Sequence, residues 1–173
     1  MNMKYLSTAS LAAIAMTGLT LAGAAKADSD RAMPRVMLPA YQAECASCHT
    51  AYPPSMLPAA SWKRIMSGLE KHYGTDASLD DATVRQISVW LQANAGTYRR
   101  VYEEPPQDRI TRSAWFERKH RGVDDPAVWK LHSVKSPANC AACHTAADQG
   151  SFDDDNLRYP AGMPWRFRFS FHD

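Results

Sequence analysis

Two segments of this 173-residue chain set a pair of thiols three positions apart with an imidazole directly after the second: Cys45-Ala46-Ser47-Cys48-His49 and Cys140-Ala141-Ala142-Cys143-His144. A helical turn presents such thiols to one edge of a porphyrin, where they add to its two vinyl groups. The adjacent histidine then swings beneath the ring and ligates the iron. All four cysteines of the chain are consumed, with none left over. The expectation is therefore two covalently attached c-type haems. Cys45, Cys48, Cys140 and Cys143 make the covalent links, and His49 and His144 serve as axial ligands on the attached side.

Other cysteine chemistries fit less well. Two structural disulfides suit an exported protein but leave the histidine after each pair unexplained. Zinc ribbons place their paired knuckles roughly 15–20 residues apart, whereas 91 residues separate Cys48 from Cys140. A thioredoxin-like site needs one pair in a βαβ setting, not two in helical surroundings.

The iron's second axial position matters because a methionine there raises the potential relative to a histidine. Outside the motifs stand His72, His120, His132 and His172. His72 lies on the apolar side of a helical pattern and is the best choice for the N-terminal half. Met56 and Met66 are its rivals, more simply read as core filling. In the C-terminal half His120, near a helix end, and His132, twelve residues before His144, are both open on the residues alone. His172 lies next to the C-terminus.

The elements that must hold these groups read mainly as helix. Ser61 to Tyr73 carries Trp62, Ile65, Met66, Leu69, His72 and Tyr73 at helical spacing, with Gly74 to end it. Asp81 to Ala95 is a second helix, opened by Ser78 and Asp81 as an S-x-x-D start, with Val84, Ile87, Trp90 and Leu91 on one face. The run Tyr52 to Pro58 is too proline-rich for a helix and is expected to wrap the haem edge as a loop. Thr111 is the expected N-cap of a helix reaching His120. Asp125-Pro126 starts a short helix carrying Val128, Trp129 and His132. Ser151 to Asn156 reads as an acidic turn. The tail Trp165-Arg-Phe167-Arg-Phe169-Ser-Phe171 alternates strictly and predicts a strand with its aromatic side chains on one face.

Tyr102 to Asp108, polar and carrying Pro105-Pro106, reads as a linker. The expected organisation is a signal peptide over 1–27, an N-terminal haem lobe over 28–101, the linker 102–108, and a C-terminal haem lobe with an extended tail over 109–173. The first segment joins a short basic start to an apolar stretch and ends in Ala25-Lys26-Ala27, which predicts export with cleavage after Ala27. The stretch is about long enough for an uncleaved anchor, but small and hydroxylated residues dominate it. No later stretch approaches spanning length, so no transmembrane span is expected in the mature chain.

The 20 basic and 18 acidic residues give a net charge of +2, and both surplus charges, Lys4 and Lys26, lie in that leader. The remainder is neutral, which removes the electrostatic footprint of a nucleic-acid binder.

The chain resembles the bacterial dihaem cytochrome c family of small exported electron-transfer proteins. The resemblance runs from about Tyr41 to Pro160. It is carried by Glu44-Cys45-Ala46-Ser47-Cys48-His49 with Ala51-Tyr52-Pro53-Pro54, by His72-Tyr73-Gly74, by Lys119-His120-Arg121, and by Ser136-Pro137-Ala138-Asn139 ahead of the second motif. It implies bis-histidine ligation of both irons and an N-terminal lobe like a small single-haem cytochrome c. It also favours His120 over His132 as the second distal ligand. Proximity in sequence assigns His72 to the first haem and His120 to the second, with a crossed arrangement as the alternative. The resemblance further implies other redox proteins as partners, an exported cytochrome or a membrane b-type cytochrome.

The reading is a periplasmic electron carrier rather than an enzyme. A small haem enzyme, such as a peroxidase or reductase, and a gas-binding sensor are the rivals. Each needs an open or labile axial position, and four spare histidines suffice to close both.

Overall fold

In a computed structural model the described residues are 37–97, 101–123 and 125–169. The expected signal peptide and His172 lie outside them. Among the described residues the architecture is mainly helical, with five short α-helices joined by 3-10 turns: α1 (Pro39–Cys45), α2 (Ala59–Met66), α3 (Asp81–Ala93), α4 (Ala114–Lys119) and α5 (Pro126–Trp129). No strand occurs among the described residues, only the isolated bridges His72–Thr75 and His144–Leu157. None of the described helices is long and apolar enough to cross a membrane.

Helices α2 and α3 pack together over the main core. Ile87 and Leu91, one turn apart on α3, are buried against Leu57, Trp62 and Met66. Each such side chain contributes about 1.5–3 kcal/mol through the apolar area it removes from water. The Trp62 indole donates to the Pro54 carbonyl at 2.6 Å, which holds the buried proline-rich run against α2. Within that run Pro54–Met56 forms a single 3-10 turn. Gly96 closes the far side. Its N–H donates to Leu57 at 2.9 Å, and a Cβ there would stand 2.5 Å from the Ser55 carbonyl oxygen, so only glycine allows the approach.

The same core takes in Ile110, Trp115 and Phe152, so apolar contacts run across the expected division between lobes. A second, smaller cluster joins Val123, Val128, Met163 and Phe167. The segment read as a linker is also anchored. The Arg64 guanidinium meets the carboxylates of Glu104 and Asp108, each at 2.6 Å.

Five local expectations are corrected. The first helix stops at Met66 instead of reaching Tyr73. The Ser67 hydroxyl donates to the Arg64 carbonyl at 2.9 Å, competing with the ladder, and Gly68 has a glycine's low helix propensity. A 3-10 turn, Leu69–Lys71, follows, and Tyr73 (φ 52°) and Gly74 (φ 100°) then reverse the chain. The N-cap of α3 is Asp80, not Ser78. Its carboxylate accepts from Ala82 at 3.0 Å and Thr83 at 3.1 Å, because it directly precedes the first orphan N–H groups, and the helix ends at Ala93.

Likewise Ser113 caps α4 in place of Thr111, accepting from Phe116 at 3.3 Å, while Thr111 sits in the preceding 3-10 turn. Asp125 caps α5 as expected, but α5 ends at Trp129 and does not carry His132.

The tail is not a strand over its described part. Trp165–Phe169 is a 3-10 turn, with the Phe167 N–H donating to Pro164 at 3.1 Å. A strand needs a neighbour to satisfy its backbone, and none is available among the described residues. Because a 3-10 turn repeats every three residues, residues two apart diverge: Phe167 is 4% exposed and Trp165 74%.

Candidate functional site

The first thiol pair follows directly from α1. Pro39 begins that helix and Tyr41 buries it, with its ring against Trp90 and its hydroxyl donating to the Tyr52 carbonyl at 2.8 Å. Cys45 is its last residue, and the chain then turns through Cys48 to His49. The His49 ring lies flat on Tyr52, centres 4.9 Å apart. Its Nδ1 contacts the Thr50 carbonyl at 2.7 Å, so Nδ1 carries the proton and Nε2 keeps the lone pair a metal needs.

The reversal at Tyr73–Gly74 brings His72 opposite. The His49 and His72 rings stand 6.2 Å apart with their planes inclined by 17°.

The second pair sits in the 3-10 turn Cys140–Ala142. Arg158 ties this turn down, its N–H reaching the Cys143 carbonyl at 2.8 Å and its guanidinium the carbonyls of Ala141 and Ala142 at 2.8 and 3.1 Å. Opposite His144 stands His120, the C-cap of α4, with ring centres again 6.2 Å apart but planes inclined by 76°. The His120 Nδ1 donates to the Phe116 carbonyl at 2.9 Å. Its ring stacks on Phe116 at 3.9 Å and meets the Trp129 edge at 5.9 Å. The other expected candidate, His132, is exposed beyond α5. Met56 and Met66 are buried in the main core.

Two imidazoles on opposite faces of one metal ion have ring centres about 6 Å apart, from a roughly 2 Å metal–nitrogen bond and about 1 Å within each ring. Both pairs have that separation. Burial holds His72, His120 and His144 below the ordinary imidazole range. The neighbouring His49 adds to this at His72, and His120 adds to it at His144. Neutral imidazole is the form that ligates. The His144 Nδ1 is also the one buried side-chain polar atom among the described residues without a hydrogen-bond partner. The residues present therefore fit two haem irons, each between a motif histidine and a distal one.

The cysteines fit the same chemistry. None forms a disulfide. Burial pushes the Cys45 and Cys140 thiols up to about 11 and raises Cys143 as well. A redox-active dithiol needs a lowered pKa, so this is an apolar environment suited to a porphyrin edge. Among the described residues no three His, Cys, Asp or Glu side chains converge as a metal-ion cluster.

The sequence reading missed the aromatic partners of the histidines, Phe116 and Trp129 at the second pair and Tyr52 at the first. Their signal was only apolar spacing, which does not distinguish a core contact from a ligand's wall.

A family model described as dihaem cytochrome c matches residues 41–152. A diheme cytochrome c from Rhodobacter sphaeroides is 42% identical over 68% of this chain and 98% of its own, with a TM-score of 0.60. The diheme cytochrome c of Shewanella baltica OS155 is 37% identical over 71% of this chain and 93% of its own, with a TM-score of 0.62. No functionally curated protein matches the chain.

Proposed function

Because the chain belongs to the dihaem cytochrome c family and carries two c-type haems, we propose that it is an electron carrier with two closed, bis-histidine centres. Cys45 and Cys48 hold the first haem between His49 and His72. Cys140 and Cys143 hold the second between His144 and His120. The observation that carries this reading is the 6.2 Å ring separation in both pairs.

The haem irons supply reversible one-electron chemistry. The chain's part is to hold neutral imidazoles on both sides, bury them, and set each potential through ligand identity and polarity. The lobes 28–101 and 109–173 each carry one centre. Residues 1–27 direct export to the periplasm and are removed after Ala27. The partners are other redox proteins, an exported cytochrome or a membrane b-type cytochrome.

The test is a mass and a spectrum of the mature protein. Two haems per chain and six-coordinate low-spin absorption at both irons, with no ligand added, are expected. Cys45→Ala or Cys140→Ala should each remove or weaken attachment of one haem only. A single haem in the unaltered protein defeats the reading. A resting five-coordinate iron favours a haem enzyme instead.

A further inference from the structure

The two distal histidines are held in different ways. His120 is fixed by its Nδ1 bond to the Phe116 carbonyl, by the Phe116 ring stacked at 3.9 Å, and by Trp129 on its edge. A ligand whose other nitrogen is bound in this way keeps its ring orientation and its basicity.

The His72 side chain makes no hydrogen bond among the described residues. Among the described residues its one aromatic neighbour besides His49 is Tyr73, edge-on at 4.9 Å. The backbone beneath it is well tied: the His72 N–H donates to Leu69 at 3.2 Å, and the His72 carbonyl accepts from Thr75 at 3.1 Å. The main chain is anchored, then, while the ring is not.

There is also somewhere for that ring to go. An open cleft of about 150 Å³ borders His72, lined by Arg64, Lys71, Tyr73, Gln107 and Asp108 among others. Its far wall is held in place by the Arg64–Asp108 ion pair and by the Tyr73 hydroxyl, which lies 3.1 Å from the carbonyls of both Gln107 and Asp108. The wall is polar, so it can hydrogen-bond a displaced imidazole. Rotation about the His72 side-chain bonds moves the ring without unfolding the turn.

Resting on the bis-histidine reading above, we propose that the first centre is a binding site for small neutral diatomic ligands, entered by displacement of His72 into this cleft, while the second stays closed. The exchange breaks one metal–nitrogen bond and forms one bond to the incoming ligand. Oxidation states are unchanged, and the imidazole leaves neutral.

The probe is carbon monoxide added to the fully reduced holoprotein, followed by absorption and by NMR of histidine-labelled protein. About half of the total haem absorption should shift. The first haem should saturate at carbon monoxide concentrations at least about tenfold below any response of the second, the difference expected from one hydrogen bond and one ring stack. The His72 ring signals should leave the strongly ring-current-shifted range while those of His120 remain in it.

Release of His120 in place of His72, equal response of both haems, or a six-coordinate protein inert to the gas overturns the displacement. An iron already five-coordinate before the gas is added overturns the ligand assignment itself.

Discussion

The hydroxyl of Tyr52 donates a 2.7 Å hydrogen bond to the carbonyl of Ala138, joining positions 86 residues apart. Tyr52 stacks on the first motif's histidine, and Ala138 stands two residues before the second motif's first cysteine. One side chain thereby ties the two centres together. Burial pushes its phenol well above the ordinary tyrosine range, so it remains a protonated donor at every working pH.

Tyr52→Phe keeps the ring on His49 and removes only the bond to Ala138. The expected cost is about 1 kcal/mol, with more if the stranded carbonyl stays dry. Denaturant unfolding of the holoprotein measures it. Stability equal to that of the unaltered protein would show that the bond contributes nothing.

The plane angles of the two pairs, 17° and 76°, should be visible in the ferric protein. Near-parallel imidazoles donate into the same iron orbital and split the pair, giving a rhombic low-spin signal. Near-perpendicular ones leave the orbitals close to degenerate, giving a highly anisotropic signal with one large g-value. Low-temperature electron paramagnetic resonance is expected to show one of each. Two identical signals would contradict the geometry.

His120→Ala is expected to open the second iron and convert it to high spin, leaving the first low-spin. His132→Ala, at an exposed position, should leave both spectra unchanged. The reverse pattern would give the ligand role to His132.

Phe167→Ala removes a buried ring from the cluster of Val123, Val128 and Met163. A loss of about 3 kcal/mol is expected from the lost transfer energy and the cavity left behind. The neighbouring Arg166–Asp125 pair, partly exposed at 2.6 Å, should matter by less than about 1 kcal/mol when Arg166 is neutralised. Thermal melts of the two variants separate a packed tail from one held by charge.

Acid should destabilise the protein in the histidine range. Burial, together with the iron ligation proposed above, keeps His120 and His144 unprotonated in the folded chain, so the unfolded chain takes up protons near pH 6.5 that the folded chain refuses. Below that pH the unfolded state binds more protons and stability falls. Above it both states are neutral and the curve is flat. Asp108, whose carboxyl is pulled below its ordinary range by the Arg64 hydrogen bond, adds a separate loss only at lower pH. Denaturation midpoints at pH 8, 7, 6 and 5 test this, and a flat profile down to pH 5 would refute it.

The attachment motifs were legible in the sequence because their chemistry depends on neighbours: two thiols and an imidazole within five residues act through one turn, whatever the rest of the chain does. The helical class and the faces of α2 and α3 were legible too, since apolar spacing along one segment reports what that segment buries. The second distal position was not legible from spacing and was assigned to His120 only by the family resemblance. His120 and His132 carry the same group, 24 and 12 residues before His144, and spacing does not choose between them. Only the fold stands one against it and turns the other to solvent, and this depends on α4 being capped at Ser113 and ending at Lys119, with His120 as its C-cap.

The break after Met66 escaped for a related reason. Helical periodicity continues through His72 on paper, but Ser67 and Gly68 end the ladder, and the reversal at Tyr73 and Gly74 needs positive φ angles that residue spacing does not encode. The tail misled in the opposite direction. Alternation describes a strand only when another strand is there to pair with it. Pairing partners, like the wall behind an imidazole, are supplied by distant parts of the chain, so tertiary structure alone decides them.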